Sequence, residues 1–260
     1  MSNLELDLYE EMAKFPIISP HGHVDANLLA RNENWIDAVE LLIRPDHYIT
    51  RMLLSQGITY EELRKPSLDV WKMFCSNWRL FRGTPTSLWL KVILYSLFDI
   101  EDLNEISPEK SYAKINERLA SPEFRPLSLF KRFNIEILAT TDSTNDHLES
   151  HKQLSQMNLS GRIIPTFRPD DVTDPARKDF KDALDKLGAN SFSQLITKLR
   201  ERREHFISLG ATATDHGIFS PQTLNYSEAE KENLFKDVLR GQRFAEYRAV
   251  MLFEFARMST

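Results

Sequence analysis

The chain has a single cysteine, Cys75, so no internal disulfide can form and a reducing compartment is expected. It has no excess of positive charge: the formal net charge is −5, which argues against a nucleic-acid binder, since such a protein needs a basic face. No apolar run reaches about 18 residues, so nothing is expected to span a membrane. The opening Met1-Ser2-Asn3-Leu4-Glu5 has neither a basic n-region nor an apolar h-region, and no signal peptide is expected. A glycine-rich phosphate loop, a G-x-S-x-G elbow and internal repeats are all missing. These absences leave a soluble, cytoplasmic protein compatible with small-molecule work. The 260 residues, 42% apolar and 27% charged, are enough for one large domain or two small ones.

The most informative stretch is Phe15-Pro16-Ile17-Ile18-Ser19-Pro20-His21-Gly22-His23-Val24-Asp25. Proline at 16 and 20 excludes a helix. As a strand, its period of two puts His21 and His23 on one face, about 7 Å apart and able to lean toward one cation. Gly22 adds no side chain between them. Two surface histidines in a turn would give the same pattern, which leaves both readings open.

An amphipathic helix is predicted over 4–15, and then a long helical region from Ala26 to about Phe133 with no convincing strand. Within it Ser67 and Ser107 are candidate N-caps, and Pro108 suits a first helical position. Ile135–Thr141 is the second strand, ending in the turn formers Asp142 to Asp146. A helix over 147–157, a third strand over 162–170, helices over 176–186 and 191–208, a short fourth strand over 211–217 and two further helices over 227–240 and 243–258 complete the pattern. Alternation of this kind calls for a parallel sheet with helices outside. Chemically capable residues gather at the strand ends: His21 and His23, Asp142, Arg168, Asp215 and His216. A (β/α)8 barrel keeps its active site at that end. Such a barrel needs eight strands and only four are found, so the expected fold is a half-barrel with open sheet edges.

Each candidate has a plain structural alternative. Asp46 can cap a helix that begins His47-Tyr48, with Arg51 one turn on. The helix dipole there favours anions and lowers an imidazole pKa, so His47 and Tyr48 form a proton-handling pair or a capped surface helix. Arg168 clamps a carboxylate or pairs with Asp170 or Asp171. Asp215-His216 supplies a base or a ligand, or only ends a strand. His147 and His151 have the spacing of a helical metal pair, but no Glu stands at 148 and a polar helix face explains them. Trp35, Trp71, Trp78 and Trp89 read as core, and Cys75 as a buried structural thiol.

Taken in series, six segments resemble the uronate isomerases (glucuronate isomerases) of the amidohydrolase superfamily. They are Pro16 to His23; Asp46-His47-Tyr48 through Arg51 to Gly57; Gly83-Thr84-Pro85 through Trp89-Leu90; Thr140-Thr141-Asp142; Pro165-Thr166-Phe167-Arg168-Pro169-Asp170; and Asp215-His216-Gly217. The resemblance implies an α/β fold, a distorted (β/α)8 TIM barrel of the metal-dependent hydrolase type, with a large helical insertion after its first strand. Residues 1–260 would be a single partial barrel domain, its N-terminal half to two-thirds, and 26–133 the insertion. The implied reaction is aldose–ketose isomerisation of hexuronates, D-glucuronate to D-fructuronate and D-galacturonate to D-tagaturonate. His21 and His23 would be ligands of a divalent metal ion, zinc in the usual case. His47 and Tyr48 would shuttle a proton between C2 and C1 through an enediol. Arg168 and Arg51 would bind substrate, and Asp215 would orient the site or meet a substrate hydroxyl.

The family's remaining metal-binding aspartate, in an Asp-Ser-Arg motif, and a further histidine segment would fall after Thr260. The expectation is therefore a fragment, inactive alone and a weak metal binder. Two other classes are weighed: a metal-dependent hydrolase, disfavoured because the strand ends carry no lysine, and a non-catalytic uronate-binding relic. The expected partner is the sugar acid, with no nucleic acid and no membrane, and the unclosed sheet favours a homo-oligomer.

Overall fold

Helix α1 (Asn3–Met12) opens the computed structural model, which describes residues 3–259. Its stripe of Leu4, Leu8 and Met12 is exposed, as is Phe15 beyond it. Strand β1 (Ile17–Ser19) fits between Pro16 and Pro20, neither of which can donate to a ladder. It stops at Ser19, so His21 and His23 lie past the strand rather than on it, in irregular backbone leading to α2 (Ala26–Arg31).

Residues 32–132 form one compact unit, and the segments before and after them form another. In the 32–132 unit helix follows helix: α3 (Ala38–Leu42), α4 (His47–Leu54), α5 (Ser67–Ser76), α6 (Pro85–Phe98), α7 (Pro108–Leu119) and α8 (Pro126–Arg132). Ser107 caps α7 and Pro108 is its first residue, as expected. Ser67 does not cap α5. Pro66 takes that place in extended backbone, and Ser67 becomes the first helical residue. The core is aromatic: Trp71, Phe74, Trp78 and Phe81 pack with ring centroids 5.4 to 6.0 Å apart. Trp71 Nε1 donates to buried Ser111 Oγ at 2.9 Å, so the indole N–H is satisfied. Burial beside this cluster pushes the Cys75 thiol up to about 11, that of an inert thiol.

The other unit holds the sheet. Strand β2 (Ile135–Ala139) and the short β3 (Asp142–Ser143) lead to α9 (Glu149–Ser155), then β4 (Arg162–Ile164) and β5 (Phe167–Arg168). Helices α10 (Asp170–Thr173), α11 (Phe180–Leu187), α12 (Phe192–Ser208), α13 (Glu228–Leu239) and α14 (Phe244–Met258) follow. All strand pairs are parallel, in the order β1-β2-β4 and, further along, β3-β5. Backbone bonds from Thr140 N to Ile164 O and Asp142 N to Thr166 O, both 3.0 Å, carry the pairing between the two sheets. Pro165, without an N–H, sits at the break.

Two expectations change here. Asp142 and Ser143 are paired strand residues, not a turn. The fourth strand over 211–217 reduces to a single parallel bridge of Thr214 with Phe167, followed by Asp215 N donating to Phe167 O at 3.0 Å. Only Thr214 and Asp215 come close enough to pair. The helices pack through Phe180, Phe192, Leu195, Phe206, Phe235 and Tyr247. Buried Lys231 on α13 meets Glu254 on α14 at 2.7 Å, so the two charges are removed from water together. Among the described residues no helix is long and apolar enough to cross a membrane.

Candidate functional site

Parallel pairing brings the C-terminal ends of the strands to one edge. Ser19 pairs with Leu138, Ala139 with Ile164, Ser143 with Arg168, and Phe167 with Thr214. His21 and His23 stand just past the first of these ends. Their rings are edge-on, and the two Nε2 atoms lie 3.3 Å apart. Two nitrogens bound to one tetrahedral zinc at 2.0–2.1 Å would be separated by roughly 3.3 Å, so the pair fits as two ligands of one ion. The same distance allows one N–H···N hydrogen bond between the rings. No group of three or more His, Cys, Asp or Glu side chains able to hold a metal occurs among the described residues. A zinc site takes three or four protein ligands, so the pair by itself falls short of one.

The segment is held from behind. Thr141 Oγ1, just beyond β2, donates to Gly22 O at 2.8 Å. A Cβ at position 22 would lie 3.1 Å from Ala139 O, so Gly22 lets the backbone come this close. Asp215 Oδ2 lies 3.8 Å from His21 Nδ1 and 3.0 Å from Arg168 Nη1. The Arg168 contact is an ion pair without a well-directed hydrogen bond, and Oδ2 is buried with no other donor. Arg168 also gives Nε to Asp170 Oδ2 at 2.8 Å, and Asp170 Oδ1 accepts from Gly217 N at 2.8 Å. Arg168, Asp170 and Asp215 therefore form one charged cluster beside His21. Arg168 does pair with Asp170, one of the alternatives read from the sequence. His216 turns away to pack on Phe255, ring centroids 4.7 Å apart, and burial lowers its imidazole against the pull of Asp170 and Asp215.

His151 was expected on a polar helix face, and the structure corrects this. It is buried, and its Nε2 is 2.8 Å from Thr140 Oγ1, which donates to Asp142 Oδ2 at 2.7 Å. A hydroxyl has one proton; once that goes to Asp142, Oγ1 accepts from an Nε2–H of neutral His151. Burial raises the Asp142 carboxyl and lowers His151. A signal was present in the sequence. His151 falls three residues from both Leu148 and Leu154, on the buried stripe of its helix.

His47, Tyr48 and Arg51 belong to the helical unit. Asp46 caps α4 as expected, accepting from Tyr48 N at 2.8 Å and Ile49 N at 3.2 Å. The His47 and Tyr48 rings lie 4.1 Å apart. Tyr48 is exposed rather than packed inward. Trp89, read as core, is exposed as well and lines a cleft with Tyr48, Arg51 and Thr86.

The family model described as glucuronate isomerase matches residues 1–260. The uronate isomerase of Rhizobium meliloti is 42% identical over 273 residues, covering 97% of this chain and 58% of that protein. The uronate isomerase of Mesorhizobium japonicum is 41% identical over 278 residues, covering 99% and 59%. The crystal structure of glucuronate isomerase from Caulobacter crescentus superposes with a TM-score of 0.92 at 36% identity, covering 97% of this chain and 57% of that one. That of the Thermotoga maritima uronate isomerase gives 0.90 at 25% identity, covering 97% and 59%. The chain spans under three-fifths of the length of these relatives, and over that span it belongs to the glucuronate isomerase family.

Proposed function

We propose that this chain carries the first part of a hexuronate isomerase site, acting on D-glucuronate or D-galacturonate. The observation that carries the reading is the His21–His23 pair, with Nε2 atoms 3.3 Å apart and Asp215 behind His21, in a chain of this family. The strand order supports a (β/α)8 barrel of which this chain forms the first strands and the helical insertion.

In isomerisation a base takes the proton from C2 and an acid returns one to C1, while the O2 hydroxyl proton moves to O1. His47 and Tyr48, in ring contact at the start of α4, are the groups assigned to these transfers. Arg168, its position fixed by Asp170 and Asp215, receives the substrate carboxylate. Arg51 contributes a second cationic contact. A divalent ion, zinc in the usual case, would be held by His21 and His23 with ligands from outside the described residues, and when bound it polarises substrate oxygens as a Lewis acid. Asp215 Oδ2 stands on the Nδ1 side of His21, 3.8 Å away, where its charge favours the ring orientation that leaves Nε2 outward. Self-association belongs to the same proposal: Ile17 and Ile18 on β1 are exposed, as on an unprotected sheet edge.

The test is a chimera that joins residues 1–260 to the C-terminal part of the Rhizobium meliloti relative. It is expected to convert D-glucuronate to its ketose and to lose turnover on His21→Ala or Tyr48→Phe. The chain alone, with zinc, is expected to stay near background. A folded, zinc-loaded chimera that turns over neither hexuronate would overturn the reading.

A further inference from the structure

The four tryptophans do not behave alike. Trp71 and Trp78 are buried, and Trp35 is partly buried with its Nε1 donating to Phe124 O. Trp89, on the first turns of α6, is 54% exposed. It does not stand on a convex surface. Two clefts of the helical unit, about 450 and 480 Å³, share Tyr48, Thr86 and Trp89 in their walls. These volumes are those of small-molecule sites, about 300–1,000 Å³. Arg51, Thr84 and Pro85 close one side of the smaller cleft.

The Thr84 hydroxyl is taken up in capping α6, but three other polar groups of this cleft are uncommitted. Among the described residues, the Trp89 indole N–H, the Tyr48 hydroxyl and the Arg51 guanidinium make no hydrogen bond or ion pair with protein. An apolar wall with a few free, convergent polar groups is the usual composition of a ligand site. The occupant must match an aromatic plane, a phenol and a cation at once. A sugar acid does so: one face is rich in C–H bonds and suits an indole plane, and its oxygens accept from Arg51 and Tyr48.

We infer that Trp89 is a substrate platform, on which a C–H face of the hexuronate rests while Arg51 and Tyr48 bond its oxygens. The inference rests on the isomerase reading and adds a specificity residue to it. Tyr48 then serves twice, as a wall of the cleft and as a proton-handling group, so the platform sets the distance between the sugar carbons and the phenol.

Fluorescence separates the platform from the reaction, since acrylamide reaches Trp89 far more readily than the inward tryptophans. The full chain is titrated with D-glucuronate by calorimetry, and acrylamide quenching is followed in parallel. The expected result is protection from quenching that saturates with binding and disappears in Trp89→Phe. Trp89→Ala, folded by circular dichroism, is expected to bind roughly tenfold more weakly, and Trp89→Phe to keep most of the affinity. Binding without protection, or Trp89→Ala binding as tightly as the parent, overturns the platform and leaves the isomerase reading standing. No hexuronate binding by the chain overturns the platform, while the isomerase reading is judged on turnover by the chimera.

Discussion

Asp215 is the residue through which most of the strand-end site is connected, since it reaches both His21 and Arg168. Replacing it with Asn keeps the shape and removes the charge. A carboxylate hydrogen-bonded to a zinc-ligating histidine is worth roughly tenfold to a hundredfold in metal affinity. Asp215, 3.8 Å from His21 Nδ1, makes no such bond and acts through its charge, for which a loss of at most about tenfold is expected. Asp215→Asn is therefore expected to weaken zinc binding by up to that factor in calorimetric titration of the chain, and unchanged affinity would remove Asp215 from this role. His216, its neighbour, gives a pH prediction. Its imidazole is lowered by burial, so the folded chain takes up that proton less readily than the unfolded chain. The stability this provides is complete above about pH 6.5, the ordinary histidine value, and is lost as pH falls below it. Between pH 7 and 5 the thermal midpoint of the parent should therefore fall further than that of His216→Gln. The comparison cancels the buried His151, which acts in the same direction, and Asp142, which acts oppositely. At this scale the sequence is legible where a side chain acts locally. Asp46 is the clear example, because a cap depends only on the residues that follow it. His151 and Trp89 were misread because burial is set by neighbours distant in sequence, Thr140 for one and the cleft around Tyr48 for the other.

Elements whose residues carry their own reason to form were predicted nearly in place, and those that depend on a neighbour were not. Ser107-Pro108 starts α7, and Ser191 caps α12 by accepting from Gln194 N. The segment 211–217 has the apolar and β-branched content of a strand, yet it pairs only at Thr214 and Asp215, since pairing also needs a partner along its whole length. Strands β1 and β2 were readable from their apolar runs, but the extent of β1 is fixed by Pro20 rather than by the histidines beyond it. Gly161, just before β4, shows what register demands. A Cβ there would come within 2.6 Å of Glu136 O, and closer still to Ile135 O, both backbone atoms with no side chain to move aside. Gly161→Ala must push β4 away from β2. The expected cost is at least about 2 kcal/mol, read as a drop in thermal midpoint of the order of 5 °C. An alanine variant with the parent's midpoint would show that β4 sits less tightly on β2 than the described backbone places it.

For the molecule as a whole, the question is whether residues 32–132 are a separate folding unit that also carries half of the proposed chemistry. The run of helical periodicity without a strand was visible in the sequence, but which residues close the unit was not, because closure is made by contacts between its two ends. Asn32 Oδ1 accepts from Leu127 N at 3.0 Å, Asn34 Nδ2 donates to Ala120 O at 2.8 Å, and Trp35 Nε1 donates to Phe124 O at 2.6 Å. Arg125 Nε returns to Asn34 Oδ1 at 2.8 Å. These bonds fasten the start of the unit to its last turns. The core between them is complete without any other part of the chain: Trp71, Phe74, Phe81, Phe98, Ile115 and Leu119 are all buried in it. About 100 residues with a core of their own is the ordinary size of an autonomous domain. The excised fragment 32–132 is therefore expected to fold alone, with a helical circular dichroism spectrum and one cooperative thermal transition. A broad transition with strong binding of a hydrophobic dye would show instead that the unit needs the rest of the chain. His47, Tyr48, Arg51 and Trp89 travel with this fragment, while His21, His23, Arg168 and Asp215 stay with the other unit. Substrate contacts of the cleft could then be measured without the strand-end histidines, and zinc binding should be lost entirely.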